Sequence, residues 1–494
     1  MSLCSKTASS ASSSAKPLDE PHQIHLCASV PLWFKSRRMS KLLLTFYGDD
    51  FTGSTDALEQ LTLAGIRTAL FIAPPTNAQL KKFPGLQAIG VAGKTRSLAP
   101  DAMERELKPA LFALKKLGAR HVHYKVCSTF DSSPTVGSIG RAMDVAAKIF
   151  PAQFVPLLVA APSLGRYTIF GNHFARYGIG SSGAIHRLDQ HPSISKHPVT
   201  PMTEADLRKH LAKQTKKKIA LFDILKMSLP ENESRAAFQI LLAEKPDVVL
   251  FDALTAEHLA RVGEILESLA GSQRQLFSVG SSGIEAALAA QFNSRSSRRE
   301  SALTKKSESD WSGLTSAATN ILVGSGSCSP VTGGQIAWAL KHGFAEVALD
   351  TAALTDGKNS AKEIKRAADV AAAWLNAGRS VLVHTTKSVS DKSNAATLKS
   401  DTAKILGTAL GKVLHGALEQ SKVRRVCIAG GDTSSFAARA LGIEVLEMIA
   451  PLTPGAPLCR AFAPGSPADG CEIVFKGGQV GAENYFEIVK RGKI

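Results

Sequence analysis

The stretch Leu42-Leu-Leu-Thr-Phe-Tyr-Gly-Asp49-Asp50-Phe-Thr-Gly53-Ser-Thr-Asp56 narrows the choice of fold more than any other part of the chain. An apolar run of strand type ends abruptly in two adjacent carboxylates. A glycine turn then leads into Ala57-Leu-Glu-Gln-Leu-Thr-Leu-Ala, whose pattern is helical. Strand, acidic turn and helix form the unit of an open α/β sheet, and such sheets keep their ligands outside the carboxyl ends of their strands. Asp49 and Asp50 fall at that place. Two carboxylates there suit a base for a substrate hydroxyl or an anchor for a polyol, and they equally suit a plain cap on the helix.

The same unit recurs. Apolar runs at Thr68-Ala-Leu-Phe-Ile-Ala, Ala88-Ile-Gly-Val-Ala, Val122-His-Tyr-Lys-Val and Val155-Pro-Leu-Leu-Val-Ala are separated by helical stretches such as the one from Pro100 to Leu117. Further strands are expected at Lys218-Ile-Ala-Leu-Phe, Val248-Val-Leu-Phe-Asp and Leu276-Phe-Ser-Val-Gly. From Asn293 to about residue 316 the chain turns Ser- and charge-rich with few apolar residues, the texture of a linker. Alternation resumes at Asn320-Ile-Leu-Val-Gly, Ser380-Val-Leu-Val-His, Arg425-Val-Cys-Ile-Ala and Glu472-Ile-Val-Phe-Lys. The expectation is an α/β protein of two domains, 40–292 and 317–494, each with a mostly parallel sheet flanked by helices. Residues 1–39, rich in Ser and Ala without periodicity, read as a disordered head, either transit-like or a start-site artefact with Met39 as the natural first residue; the artefact is preferred.

Composition excludes several classes. A chain of 494 residues exceeds one ordinary core. With 44% hydrophobic residues and a mean hydropathy of +0.01, the chain has the make-up of a globular protein, and no apolar run approaches the ~20 residues that span a bilayer. Lys and Arg number 59 against 42 Asp and Glu, a net charge of +17, but the basic residues are dispersed and only 6% of residues are aromatic, so a base-stacking nucleic-acid platform is not expected. Seven cysteines, odd in number and without a CxxC pair, point to a reducing, cytoplasmic setting and away from a zinc ribbon or disulfide framework. Cys127 and Cys328, beside polar loops, read as small buried side chains rather than nucleophiles.

Ala88-Ile-Gly-Val-Ala-Gly93-Lys94-Thr95 imitates a Walker A loop but fails it, having alanine at position 88 and no helix directly after. What remains is Lys94-Thr-Arg96-Ser97 at a strand end, where the guanidinium could clamp a carboxylate or be an ordinary surface charge. The loop Lys125-Val-Cys-Ser128-Thr129-Phe-Asp131-Ser132-Ser133 is dense in donors and acceptors suited to a polyhydroxylated ligand, while His121 and His123 upstream alternate as strand residues. Beyond the linker, Gly324-Ser-Gly326-Ser327-Cys-Ser329, Gly430-Gly431-Asp432-Thr433-Ser434 and Lys476-Gly477-Gly478-Gln-Val-Gly481 are small-residue turns at strand ends. Several such turns in one domain favour a nucleotide phosphate site, although the third glycine of a dinucleotide fingerprint is missing.

Taken in order, Gly48-Asp49-Asp50-Phe-Thr-Gly53-Ser, Tyr124-Lys125-Val-Cys-Ser-Thr-Phe-Asp131-Ser, His197-Pro198-Val-Thr200-Pro-Met-Thr, Gly326-Ser327-Cys-Ser329-Pro-Val-Thr and Gly430-Gly-Asp-Thr433 resemble the four-carbon acid sugar kinases, from about residue 41 to the end. The form Cys127-Ser-Thr-Phe-Asp131-Ser is most similar to the 3-oxo-tetronate 4-kinase branch, with threonate or erythronate kinases and a non-kinase sugar-acid protein as alternatives. The resemblance implies a sugar-acid domain followed by an ATP domain, Mg²⁺ as a cofactor, and Ser327, Ser329, Gly430, Gly431, Asp432, Thr433 and Gly478 at ATP. It further implies Asp50 or Asp49 as the base or alcohol anchor, and Arg96, Lys125, Ser128 and Asp131 at the sugar acid. The partners expected are therefore a small sugar acid and ATP, with no nucleic acid or membrane, and a homodimer is left open. Asp432 and Gly477 depart from the glutamate and serine usual in the family.

Overall fold

The computed structural model describes residues 42–179, 182–197, 199–270, 275–297, 320–385 and 400–492. The head 1–39 and residues 298–316 of the expected linker lie outside the described residues. Residues 293–297 complete the helix Gly283–Ser297.

Eighteen strands are described. In the N-terminal half they are β1 (Leu44–Gly48), β2 (Thr68–Phe71), β3 (Ala88–Ala92), β4 (His121–Lys125), β5 (Val155–Leu158), β6 (Arg166–Ile169), β7 (Asn172–Arg176), β8 (Ile185–Arg187), β9 (Ile219–Phe222), β10 (Val248–Phe251) and β11 (Leu276–Gly280). In the C-terminal half they are β12 (Leu322–Ser325), β13 (Ala345–Ala348), β14 (Val381–His384), β15 (Arg425–Ala429), β16 (Val445–Thr453), β17 (Ala456–Phe462) and β18 (Glu472–Lys476). Fifteen of them form one sheet in the order β13-β14-β12-β15-β18-β17-β16-β2-β3-β1-β4-β11-β5-β10-β9, and β6-β7-β8 form a small antiparallel sheet beside it.

The sheet in each half is mostly parallel, as the alternation predicts, but the two join into one. The hairpin β16–β17 is antiparallel, and β16 pairs with β2 through Val445↔Phe71 and Leu446↔Leu70. This hairpin has no clear period in the sequence because Pro451, Pro454 and Pro457 interrupt it. In the structure Pro451 falls where the register shifts between Ala450 and Thr453, an irregularity of the kind that bends a strand and tolerates a missing N–H. One hydrophobic cluster then runs across both halves, from Leu44, Phe46 and Phe51 to Leu446, Ile473 and Phe475.

Strand order explains where ligands belong. β1 has β3 on one side and β4 on the other, and β12 has β14 on one side and β15 on the other. Both are points at which the winding reverses, where open sheets form crevices at their carboxyl ends. The helix after β1 spans Phe51–Leu63, so it begins at Phe51 rather than at Ala57. Asp50 has an extended backbone and its carboxylate accepts from Gly53 N, which caps the helix and places Gly53 in its first turn rather than ahead of it. The helix packs on β16, β17 and β18, with the Phe51 and Phe475 rings 4.4 Å apart.

Candidate active site

Asp50 is fully engaged. Its Oδ1 accepts from Gly53 N at 2.8 Å, and its Oδ2 accepts from Thr52 Oγ1 at 2.7 Å and pairs with Arg96 Nη1 at 2.7 Å. Asp49 is the opposite case. Its backbone is fixed at both ends, the N–H donating to Lys125 O at 2.8 Å and the carbonyl accepting from Arg96 N at 3.0 Å. Its carboxyl is buried, and Oδ1 has no hydrogen-bond partner. Burial first, and then the charge of Asp50, push this carboxyl up to about 8 against the pull of Arg96 and Lys125.

Arg96 lies in the single 3₁₀ turn Thr95–Ser97 after β3. The glycine that imitated a Walker loop has a packing reason: a Cβ on Gly93 would lie 2.3 Å from Gly48 O, so only glycine lets β3 leave the sheet against β1. Lys94 pairs with Glu106 at the surface, at 3.1 Å.

Lys125 ends β4 fully buried, with Nζ 3.2 Å from Asp56 Oδ2. Burial lowers its pKa, but Asp56, Glu285 and other acidic neighbours outweigh that and raise it, so it stays a cation. Ser128 and Asp131 lie in the next loop, where the left-handed backbone of Phe130, at φ 57°, turns the chain. Thr129 Oγ1 donates to Asp131 Oδ2 at 2.9 Å, and Ser128 O accepts from His173 Nε2 at 2.9 Å. Cys127 is half-buried and its thiol is pushed up to about 12, mainly by burial, which leaves it unsuited to act as a thiolate. His121 and His123 are buried strand residues of β4, hydrogen-bonded to Glu267 and Ser278 respectively.

In the C-terminal half three turns converge. Ser327 and Ser329 follow β12, and Ser329 N donates to Ser327 Oγ at 3.2 Å ahead of the helix Pro330–Lys341. Gly430 follows β15 at φ 122°, a backbone open to glycine, and precedes the helix Gly431–Ala440, whose first turn holds Asp432 and Thr433. A Cβ on Gly326 would lie 2.3 Å from Thr433 Oγ1, and one on Gly478 would lie 3.0 Å from Ser327 Oγ. Backbone N–H groups at two helix starts thus lie against turns with no side-chain bulk, the make-up of a phosphate cradle. Lys476 lies buried just before Gly477, donating from Nζ to Thr332 Oγ1 at 3.0 Å, and burial pulls it down to about 8.

The two groups of residues meet. A Cβ on Gly431 would lie 2.4 Å from Arg96 Nη2 and 3.2 Å from Asp50 Oδ2, and one on Gly477 would lie 4.0 Å from Thr52 Oγ1. Arg439 of the same glycine-started helix donates to Ala92 O at 2.9 Å and Ile72 O at 3.3 Å. The acidic turn and the glycine turn therefore face each other across the seam between the halves.

Known proteins divide in the same way. Residues 44–288 match a sugar-binding N-terminal domain model, and residues 322–486 a nucleotide-binding C-terminal domain model. A 3-oxo-isoapionate kinase of Paraburkholderia graminis is 41% identical over 462 residues, 92% of this chain and 95% of that one. The chain belongs to the four-carbon acid sugar kinase family. A 3-oxo-tetronate kinase of Pseudomonas savastanoi pv. phaseolicola is 28% identical over 449 residues, 90% of this chain and 96% of the other. A crystal structure from Salmonella typhimurium LT2, solved as a candidate tRNA synthase, superposes with a TM-score of 0.70 at 25% identity, covering 91% of this chain and 99% of that one.

Within this sugar-acid kinase, three buried groups at the site carry no role in the sequence reading. Asp56 holds Lys125. Glu285 starts the helix after β11, with both carboxyl oxygens lacking a hydrogen-bond partner and its Oε1 3.6 Å from His123 Nε2. Arg166 opens β6. Asp56 lies one helical turn beyond Gly53, so its spacing could have revealed it. Glu285 and Arg166 reach the site through strand order, which no local spacing encodes.

Proposed function

We propose that this kinase transfers the γ-phosphoryl of ATP to the terminal C4 hydroxyl of a 3-oxo sugar acid. The observation that carries the reading is the contact of Gly431 with Arg96 and Asp50 across the seam. A phosphate held by the glycine turns would there lie against the acidic turn that receives the acceptor. Phosphoryl transfer asks for alignment and charge neutralisation more than for covalent chemistry. Asp49 and Asp50 divide the acceptor work. Asp50, with both carboxylate oxygens engaged, fixes the turn and Arg96, while Asp49 takes the hydroxyl proton as the oxygen attacks and ADP leaves. Mg²⁺ is read as arriving with the nucleotide, as MgATP.

The form of the Cys127–Ser132 loop favours a 3-oxo-tetronate, and the 41% likeness to a 3-oxo-isoapionate kinase brings the isoapionate to the front. Both are 3-oxo acids, so the ketone beside the reacting carbon is the common element. ATP use and seven cysteines without a CxxC pair support a cytoplasmic place. The test is ATP consumption with 3-oxo-isoapionate, 3-oxo-tetronate, threonate and erythronate in parallel. The reading expects the higher kcat/KM for the 3-oxo acids, with the product phosphorylated at C4; a preference for threonate or erythronate contradicts it.

A further inference from the structure

Arg166 is an unusual residue to bury. It is 1% exposed, and among the described residues no fully buried side chain is larger. Its Nη1 donates to Leu164 O and Arg176 O, both at 3.0 Å, but its Nε has no hydrogen-bond partner and no described carboxylate forms an ion pair with it. The other two site cations are paired, Lys125 with Asp56 and Arg96 with Asp50. A guanidinium held in a dry interior with only carbonyl acceptors is costly unless an anion completes it.

The small sheet determines where that guanidinium lies. Alternation along β6 buries Arg166 and Thr168 on one face, opposite Ala175 and His173 of β7. Thr168 Oγ1 hydrogen-bonds His173 Nδ1 at 2.9 Å, and His173 Nε2 donates to Ser128 O at 2.9 Å. Burial pulls His173 down to about 3, so it bridges as a neutral ring. The inner face of the sheet is thereby pinned to the Cys127–Ser132 loop. Loss of solvent lowers Arg166 to about 10, against the pull of the carboxyl groups of Asp131 and Asp56 on the acceptor side.

We propose that Arg166 holds the carboxylate of the sugar acid, with Ser128 and Asp131 taking its hydroxyls, and that Arg96 serves the transferring phosphoryl instead. This rests on the kinase reading above. A guanidinium fork suits a carboxylate, and Arg166, with its Nε unpartnered, supplies one deep in the acceptor half. Arg96 touches Gly431 of the nucleotide half and lies where negative charge passes between the substrates.

The test uses 3-oxo-tetronate and dihydroxyacetone, which is that acid less its carboxylate as CO₂, with saturating ATP. R166Q, R166K and R96Q are compared with wild type, each checked for a native thermal transition. R166Q should raise KM for the acid by about tenfold to a hundredfold, the loss expected for a charged hydrogen bond, and should impair dihydroxyacetone, which has no carboxylate, far less. R166K, keeping the charge without the fork, should fall between. R96Q should lower kcat on both substrates alike. The proposal is overturned if R166Q keeps the wild-type KM, if it loses both activities in equal proportion as a purely structural residue would, or if R96Q shows the acid-selective loss. If R166Q does not fold, R166K, which keeps the buried charge, decides: a wild-type KM for the acid overturns the proposal. A wild type inactive on every 3-oxo acid overturns the kinase reading itself, a separate result.

Discussion

Gly431 is a residue whose role shows only in three dimensions. It is the first residue of a helix, where alanine would ordinarily help by up to about 1 kcal/mol, yet a Cβ there would press on the end of Arg96 and on Asp50. Gly431→Ala should therefore leave thermal stability within about 1 kcal/mol of wild type while kcat falls, because Arg96 is the flexible partner that must move. An unchanged kcat would mean that the contact has no part in the reaction. Residue-level legibility was uneven for a physical reason. Asp49, Asp50, Ser128 and Gly430 stand beside strand ends, and strand ends can be read from apolar runs. The division of labour within the acidic pair could not be read, since it depends on which carboxyl meets Thr52, Gly53 and Arg96 and which is buried with Oδ1 unpartnered.

Among the elements, the parallel strands were legible because burial on both faces makes them continuous apolar runs. The hairpin β16–β17 and the small sheet β6–β8 were not. Their partners lie on one face or across prolines, and both weld parts of the fold together. One weld is open to measurement. Glu59, buried on the helix Phe51–Leu63, accepts from Gly455 N at the hairpin tip at 2.6 Å, and burial pushes its carboxyl up to about 8. Glu59→Ala, which leaves Gly455 N–H buried without an acceptor, should cost about 1–3 kcal/mol, and Glu59→Gln clearly less. The sign of the pH effect follows from a folded pKa above the unfolded one: the wild type loses stability as pH rises from about 4.5 to about 8, and Glu59→Gln removes that part of the slope. Urea midpoints at pH 5 and pH 9 check it. Equal losses for both substitutions would place the effect in packing rather than in the hydrogen bond.

For the whole molecule, the sequence suggests two bodies joined by a chain segment, whereas the structure makes the sheet itself a second connection. β2 pairs with β16, and one core passes through both halves. Closure of one half over the other would have to bend this sheet, so the seam between Asp49, Arg96 and Gly431 is held by the fold itself. A buried acceptor carboxyl at a pre-assembled seam has a kinetic signature, because Asp49 must be ionised to take a proton while burial and Asp50 keep its pKa near 8. The most direct test is the pH dependence of kcat/KM for ATP-dependent phosphorylation of a 3-oxo acid by wild type, Asp49→Asn and Asp50→Asn. The account predicts a wild-type rate that climbs with pH and levels off above about 8, and an Asp49→Asn rate lower by about 10²-fold or more without that climb. Near-wild-type turnover by Asp49→Asn, with its pH climb intact, would contradict it.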